Sequence, residues 1–172
     1  MKNLNDFFES LASNASRNFK IEQLTLHSNN EVLREVVRLA LDPFTQFYIR
    51  KIPKYEPRTE PTNVTLKFAL DSLYDLSSRQ VTGNAAIAHL KGMLEVLSAD
   101  DAKVIERIIQ KDLKCGVQVS TANAVWTGLV HEYPVMLCSQ FEQKLVDKVK
   151  YPALVQTKMD GMRFNEIGRA HV

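Results

Sequence analysis

Asp101-Ala102-Lys103-Val104-Ile105-Glu106-Arg107-Ile108-Ile109-Gln110-Lys111-Asp112-Leu113-Lys114 is the stretch that decides the fold. Val104, Ile105, Ile108, Ile109 and Leu113 recur at helical spacing and mark one apolar side. Lys103, Arg107, Lys111 and Lys114 step by four, four and three, so an unbroken helix sets them on one opposite face. Ser98-Ala99-Asp100-Asp101 supplies an N-terminal cap, and Gly116 is expected to close the C-terminal end. The bland reading of the cationic stripe is a solvated face, and Glu106 and Asp112 lie beside it.

The same period extends outward in both directions. Ser28-Asn29-Asn30-Glu31 reads as a capping box, followed by Val32, Leu33, Val36, Val37 and Ala40 at helical spacing. Pro43 ends that helix, and Phe44, Phe47, Tyr48 and Ile49 are expected to join the core. Pro53, Pro57 and Pro61 punctuate a polar loop before a helix from about Val64 to Leu76. Thr82-Gly83-Asn84 opens another helix, with Ile87, Leu90, Met93, Leu94 and Leu97 as its buried face. Ser120 is expected to cap a short helix carrying Val125 and a core Trp126. About six helices with short joints make an all-α domain over residues 1–130.

After residue 130 the texture changes. Val130 to Cys138 holds Pro134 and reads as a linker, and residues 131–150 form the linker and the start of a second domain. Residues 151–164 carry the apolar run Pro152-Ala153-Leu154-Val155 and then Lys158-Met159-Asp160-Gly161-Met162-Arg163, a strand-turn signal. The fold class is therefore mainly α, with a strand-turn segment behind the helices, which the family resemblance given below identifies as the first strand of a truncated α+β domain. Ile167 to Val172 can be encoded by a common sequencing-adapter string, so residues 165–172 are expected to be a non-native tail.

Bulk properties exclude several classes. With 45% hydrophobic and 24% charged residues the chain has ordinary globular composition. A net charge of +2 means that any anion-binding surface must come from local arrangement. Cys115 and Cys138 make no disulfide framework, and Asp6 and Glu9 interrupt any secretory pattern, so a cytoplasmic protein is expected. No apolar run approaches the ~20 residues of a membrane span. His27, His89, His131 and His171 lack metal-ligand spacing, and no metal site is expected from side-chain clusters.

The hexapeptide carries chemistry. A lysine attacks phosphorus through its neutral amine, which an ordinary pKa leaves at roughly one in 2,500 at pH 7. Burial or a neighbouring cation can lower that pKa. Lys158 is then a nucleophile for the α-phosphate of a nucleoside triphosphate. Asp160 could bind the sugar or orient the amine, Gly161 permits a tight turn, and Arg163 could reach phosphate or sugar oxygens. The alternative is an exposed lysine beside a common Asp-Gly turn.

With KMDGMR, the stretches Val81–Ile87 (VTGNAAI), Lys111–Trp126 (KDLKCGVQVSTANAVW) and Gln156-Thr157-Lys158 resemble the ATP-dependent DNA ligases of T-even bacteriophage type. That resemblance implies that Lys158 is the adenylated nucleophile. Gln156, Thr157, Asp160, Gly161 and Arg163 would then bind the nucleotide, with Gln156 near the adenine amino group. ATP and magnesium are the implied cofactors. The implied partner is duplex DNA containing a nick, held through its backbone across the minor groove by a monomer, in the host cytoplasm if phage-encoded. It favours phosphate docking at the N–H groups of Thr82-Gly83-Asn84 and Ser120-Thr121, with Lys111 and Lys114 as cationic contacts. It also implies that most of the catalytic domain is missing and the chain alone is inactive. Two competing readings are another lysine nucleotidyltransferase (an RNA ligase or capping enzyme) and a non-catalytic helical DNA-binding protein.

Overall fold

Short N-terminal caps, set by small polar residues, start most of the helices. The computed structural model describes residues 3–56, 58, 60, 62–132 and 142–153. The chain divides into two units, Met1–Tyr133 and Pro134–Val172. In the first, α1 (Leu4–Ala12), α2 (Arg17–Leu26), α3 (Glu31–Leu41), α4 (Leu66–Ser77), α5 (Gly83–Val96), α6 (Ala99–Ile109) and α7 (Val119–Val125) follow one another. In the second, the described residues hold one exposed turn of helix, α8 (Gln143–Val146). Among the described residues there is no strand, only an isolated bridge between Arg58 and Ser98. The expected strand and the hexapeptide turn lie outside the described residues.

α6 is the axle of the helical unit. Ala102, Val104, Ile105 and Ile108 are fully shut from water, and the helix packs against α1, α3, α4 and α5. Burying a valine or isoleucine side chain this fully contributes about 1.5–3 kcal/mol. α1 lays Leu4, Phe7, Phe8 and Leu11 onto this core, and α2 packs against α7. The Ser98 hydroxyl accepts the Asp101 N–H at 3.2 Å, so that cap is as expected.

Four expectations need correction. The cap of α3 is Asn30, whose side chain accepts the Leu33 N–H at 3.0 Å, not a box begun by Ser28. Ser28 instead offers its carbonyl to the Trp126 indole N–H at 3.0 Å, joining the start of α3 to the end of α7. Of the aromatic cluster only Phe47 is core; Phe44 and Tyr48 are 55% and 65% exposed. Ile87 is exposed, because the inward face of α5 starts at Ala86 and runs through Leu90, Met93 and Leu94. The cap at α7 is Gln118, not Ser120, and its side chain makes no capping bond.

The largest correction concerns α6. It ends at Ile109, five residues before Lys114. The Lys111 N–H returns to the Ile108 carbonyl and the Asp112 N–H to the Arg107 carbonyl, both at 3.0 Å, which is a Schellman closure. Lys111 takes the left-handed position at φ 57°, where glycine is usual. Gly116 therefore stops nothing, and the four cations do not share a face.

Candidate nucleic-acid interface

Arg107 is the first member of the stripe to be lost. It is 6% exposed. Its guanidinium donates to the Leu113 carbonyl at 2.5 Å, to Asn5 Oδ1 at 3.3 Å, and to Glu9 Oε1. This holds α1 and the turn after α6 together. It faces inward because α1 covers that side of α6.

Lys111 is committed as well. Its ammonium donates to the Leu39 and Asp42 carbonyls, each at 2.6 Å, at the C-terminal end of α3. A cation there satisfies carbonyls that the helix leaves unpaired and opposes the negative end of the helix dipole. It also lies 5.5 Å from the Phe47 ring centre. Burial pushes its pKa down, opposed by nearby Asp42 and assisted by Arg38. The left-handed turn of Lys111 is what aims it at α3. Sequence spacing alone would not show this, since it assumes that the helix continues.

Lys114 is different. Its side chain is exposed, and its backbone is left-handed at φ 53°. Its N–H is held by Asp112 Oδ1 at 2.8 Å. Gly116 follows at φ 67°, also exposed, while Leu113, Cys115 and Val117 point inward. Burial raises the Cys115 thiol pKa, and a hydrogen bond from the Val117 backbone opposes that. The alternation of inward apolar and outward polar residues presents Lys114, Gly116 and Gln118 to solvent.

Ser120 is exposed in the first turn of α7, and its carbonyl accepts the Arg17 guanidinium at 3.3 Å. Thr121 is buried, at 4% exposed, beside the exposed Ser120. Thr82, Gly83, Asn84 and Ala85 are all exposed at the start of α5. The Thr82 side chain makes no capping bond. The first-turn N–H groups of this 14-residue helix are therefore open to an anion. Gly83 sits at φ 61° with nothing within 4 Å of where a β-carbon would stand.

The structure thus brings Lys114, Gly116 and Ser120 together with Arg17 and Lys20 of α2, two residues that sequence reading missed. The period of the N-terminal helices gives no charged stripe that would have singled them out. No hydrogen bond among the described residues joins Thr82-Gly83-Asn84 to this cluster. Gln156, Thr157, Lys158, Asp160, Gly161 and Arg163 lie outside the described residues. Among the described residues no group of three His, Cys, Asp or Glu side chains is placed to hold a metal ion.

Comparison with known proteins adds independent information. A family model described as DNA ligase N terminus matches residues 1–127. The DNA ligases of Enterobacteria phage T4 and Enterobacteria phage T6 are each 40% identical over 156 residues, covering 89% of this chain and 32% of theirs. The chain therefore spans about a third of the length of those relatives. Two solved structures share the fold. Pmar-Lig_PreS3 has a TM-score of 0.66 at 23% identity, and Pmar-Lig_Pre. a TM-score of 0.64 at 25%. Each match covers 73% of this chain and 29% of the other.

Proposed function

The chain belongs to the DNA ligase N-terminus family, and we propose from that membership that its helical unit grips nicked duplex DNA for a ligase that works through a lysine–AMP intermediate. The observation that carries the reading is the family match over residues 1–127, which coincides with the helical unit. The exposed residues Lys114, Gly116 and Gln118 ahead of α7 and the open first turn of α5 support it, since both offer donors to phosphate. Lys111 drops out as a direct contact and becomes part of the frame.

In the proposed chemistry the Lys158 amine attacks the α-phosphate of ATP and pyrophosphate leaves. The AMP passes to the 5′-phosphate at the nick, and the 3′-hydroxyl then attacks that phosphate, releasing AMP and closing the backbone. Gln156 and Thr157 would contact the adenine side, and Asp160, Gly161 and Arg163 the sugar and phosphates. Magnesium bound to the triphosphate would neutralise the charge on the leaving group. The helical unit contributes positioning, because backbone contacts fix register without reading bases.

We propose further that these 172 residues alone neither ligate nor hold a stable adenylate, since they span about a third of their curated relatives. The reading of another lysine nucleotidyltransferase loses ground to the helical match, which is to DNA ligases. The test is binding of the chain to nicked, intact and single-stranded DNA by fluorescence anisotropy. Preference for the nicked duplex supports the reading. Equal binding to all three would leave a generic binder, and no binding would remove the proposal.

A further inference from the structure

Lys20 is a buried residue to which none of the described residues supplies an anion. It lies on α2 and is only 7% exposed. Lysine is almost never this buried unless it is paired. Among the described residues its ammonium forms no ion pair and no side-chain hydrogen bond. Arg107, equally buried, has three partners. The Lys20 ammonium is not sealed off either. Among the described residues the one shut-in polar side-chain atom without a partner is His89 Nε2. The stem of Lys20 is covered and its tip still reaches solvent.

The tip lies over a specific place. Lys20 Nζ stands 2.7 Å from where a β-carbon on Gly116 would be. Any larger residue at 116 would push the ammonium away, and the left-handed φ of 67° separately favours glycine there. The Gly116 N–H has no backbone acceptor among the described residues. Lys114 is exposed two residues earlier, and Arg17 is anchored to Ser120 on the same side of α7. Asp112 is the nearest acid in the turn, and one of its oxygens is already used to hold the Lys114 N–H.

An ammonium on a covered stem, with no counter-ion beside it and protein on one side, attracts an arriving anion more strongly than a fully solvated surface lysine does. We propose that Lys20 and the Lys114–Gly116 turn form a seat for one backbone phosphate of the duplex, with the Lys20 ammonium as its fixed donor. This rests on the DNA-binding reading above and assigns a residue to it. A lysine whose stem is already ordered loses little rotamer freedom when it binds, unlike a surface lysine. Lys20 should therefore give more affinity than the freely moving Lys114.

The test measures affinity for a nicked duplex against sodium chloride concentration for the unmodified chain, Lys20→Met and Lys20→Arg. Methionine keeps the apolar stem, and arginine keeps the charge. A lost phosphate contact lowers the slope of log affinity against log salt by about 0.9. The seat is supported if Lys20→Met loses about that much slope and Lys20→Arg keeps it. It is overturned if the unmodified chain binds with a clear salt slope and Lys20→Met binds identically, in which case the DNA-binding reading stands without it. Absence of binding by the unmodified chain overturns the DNA-binding reading itself. Should Lys20→Met fail to fold, titration of the unmodified chain with inorganic phosphate decides. A saturable shift of the Gly116 amide resonance supports the seat, and an unmoved Gly116 amide overturns it.

Discussion

Replacing Lys111 by methionine separates a framework lysine from a DNA-binding one. The substitution removes two charge-assisted hydrogen bonds, to the Leu39 and Asp42 carbonyls at 2.6 Å each. Bonds to charged groups contribute about 1.5–3 kcal/mol apiece. The site is only part-buried, so water can rehydrate the carbonyls, and burial already penalises the charge. The pair is therefore discounted to about half its sum, a loss of about 1.5–3 kcal/mol. The left-handed backbone at φ 57° supplies an internal control. Lys111→Gly loses the same bonds but relieves about 1 kcal/mol of strain. It should fall between Lys111→Met and the unmodified chain. Urea denaturation followed by far-ultraviolet circular dichroism gives both values. Affinity for nicked duplex, measured well below the melting transition, should change little. A Lys111→Met chain as stable as the unmodified one, with a drop in DNA affinity, would refute a framework role. That result would return Lys111 to the binding surface.

Three further expectations use other parts of the frame. Arg107→Met strips the donors from the Leu113 carbonyl, Asn5 and Glu9, and should cost about 2–4 kcal/mol in urea melts. Glu9→Gln should cost about 1 kcal/mol or less, because Glu9 is 63% exposed. Burial would raise the Asp42 pKa, but bonds from Thr45 and the Phe44 N–H and the cations Lys111 and Arg38 hold it below 3.8. A lowered carboxyl pKa contributes stability that is present above the unfolded value and lost as pH falls through the folded one. Asp42→Asn should therefore flatten the acid limb of the stability profile below about pH 4, checked by urea melts across that range.

The helices were legible because burial imposes a period on the sequence. Leu33, Val36, Val37 and Ala40 of α3, and Val104, Ile105 and Ile108 of α6, could be placed inside from spacing alone. The end of α6 was not legible. Its Schellman closure puts lysine where glycine is usual, and the bonds that stabilise this come from Leu39 and Asp42, about seventy residues away. The binding surface suffered from the same limit. A helical wheel treats Lys103, Arg107, Lys111 and Lys114 as equivalent, whereas α1 buries Arg107 and α3 captures Lys111. Lys20 was invisible for the opposite reason. A lone lysine on a mixed helix reads as solvated until its neighbour Gly116, almost a hundred residues on, is seen beside it. The family resemblance was carried by short motifs and did not depend on these details.

The most direct measurement of the central claim is a map of backbone amide resonances as nicked duplex is added to the chain. The largest shifts are expected at Gly83, Asn84 and Ala85 and from Lys114 to Gln118. Lys103 and Arg107 on α6 should move little. Shifts concentrated along α6, or a spectrum unchanged at saturating DNA, would contradict it.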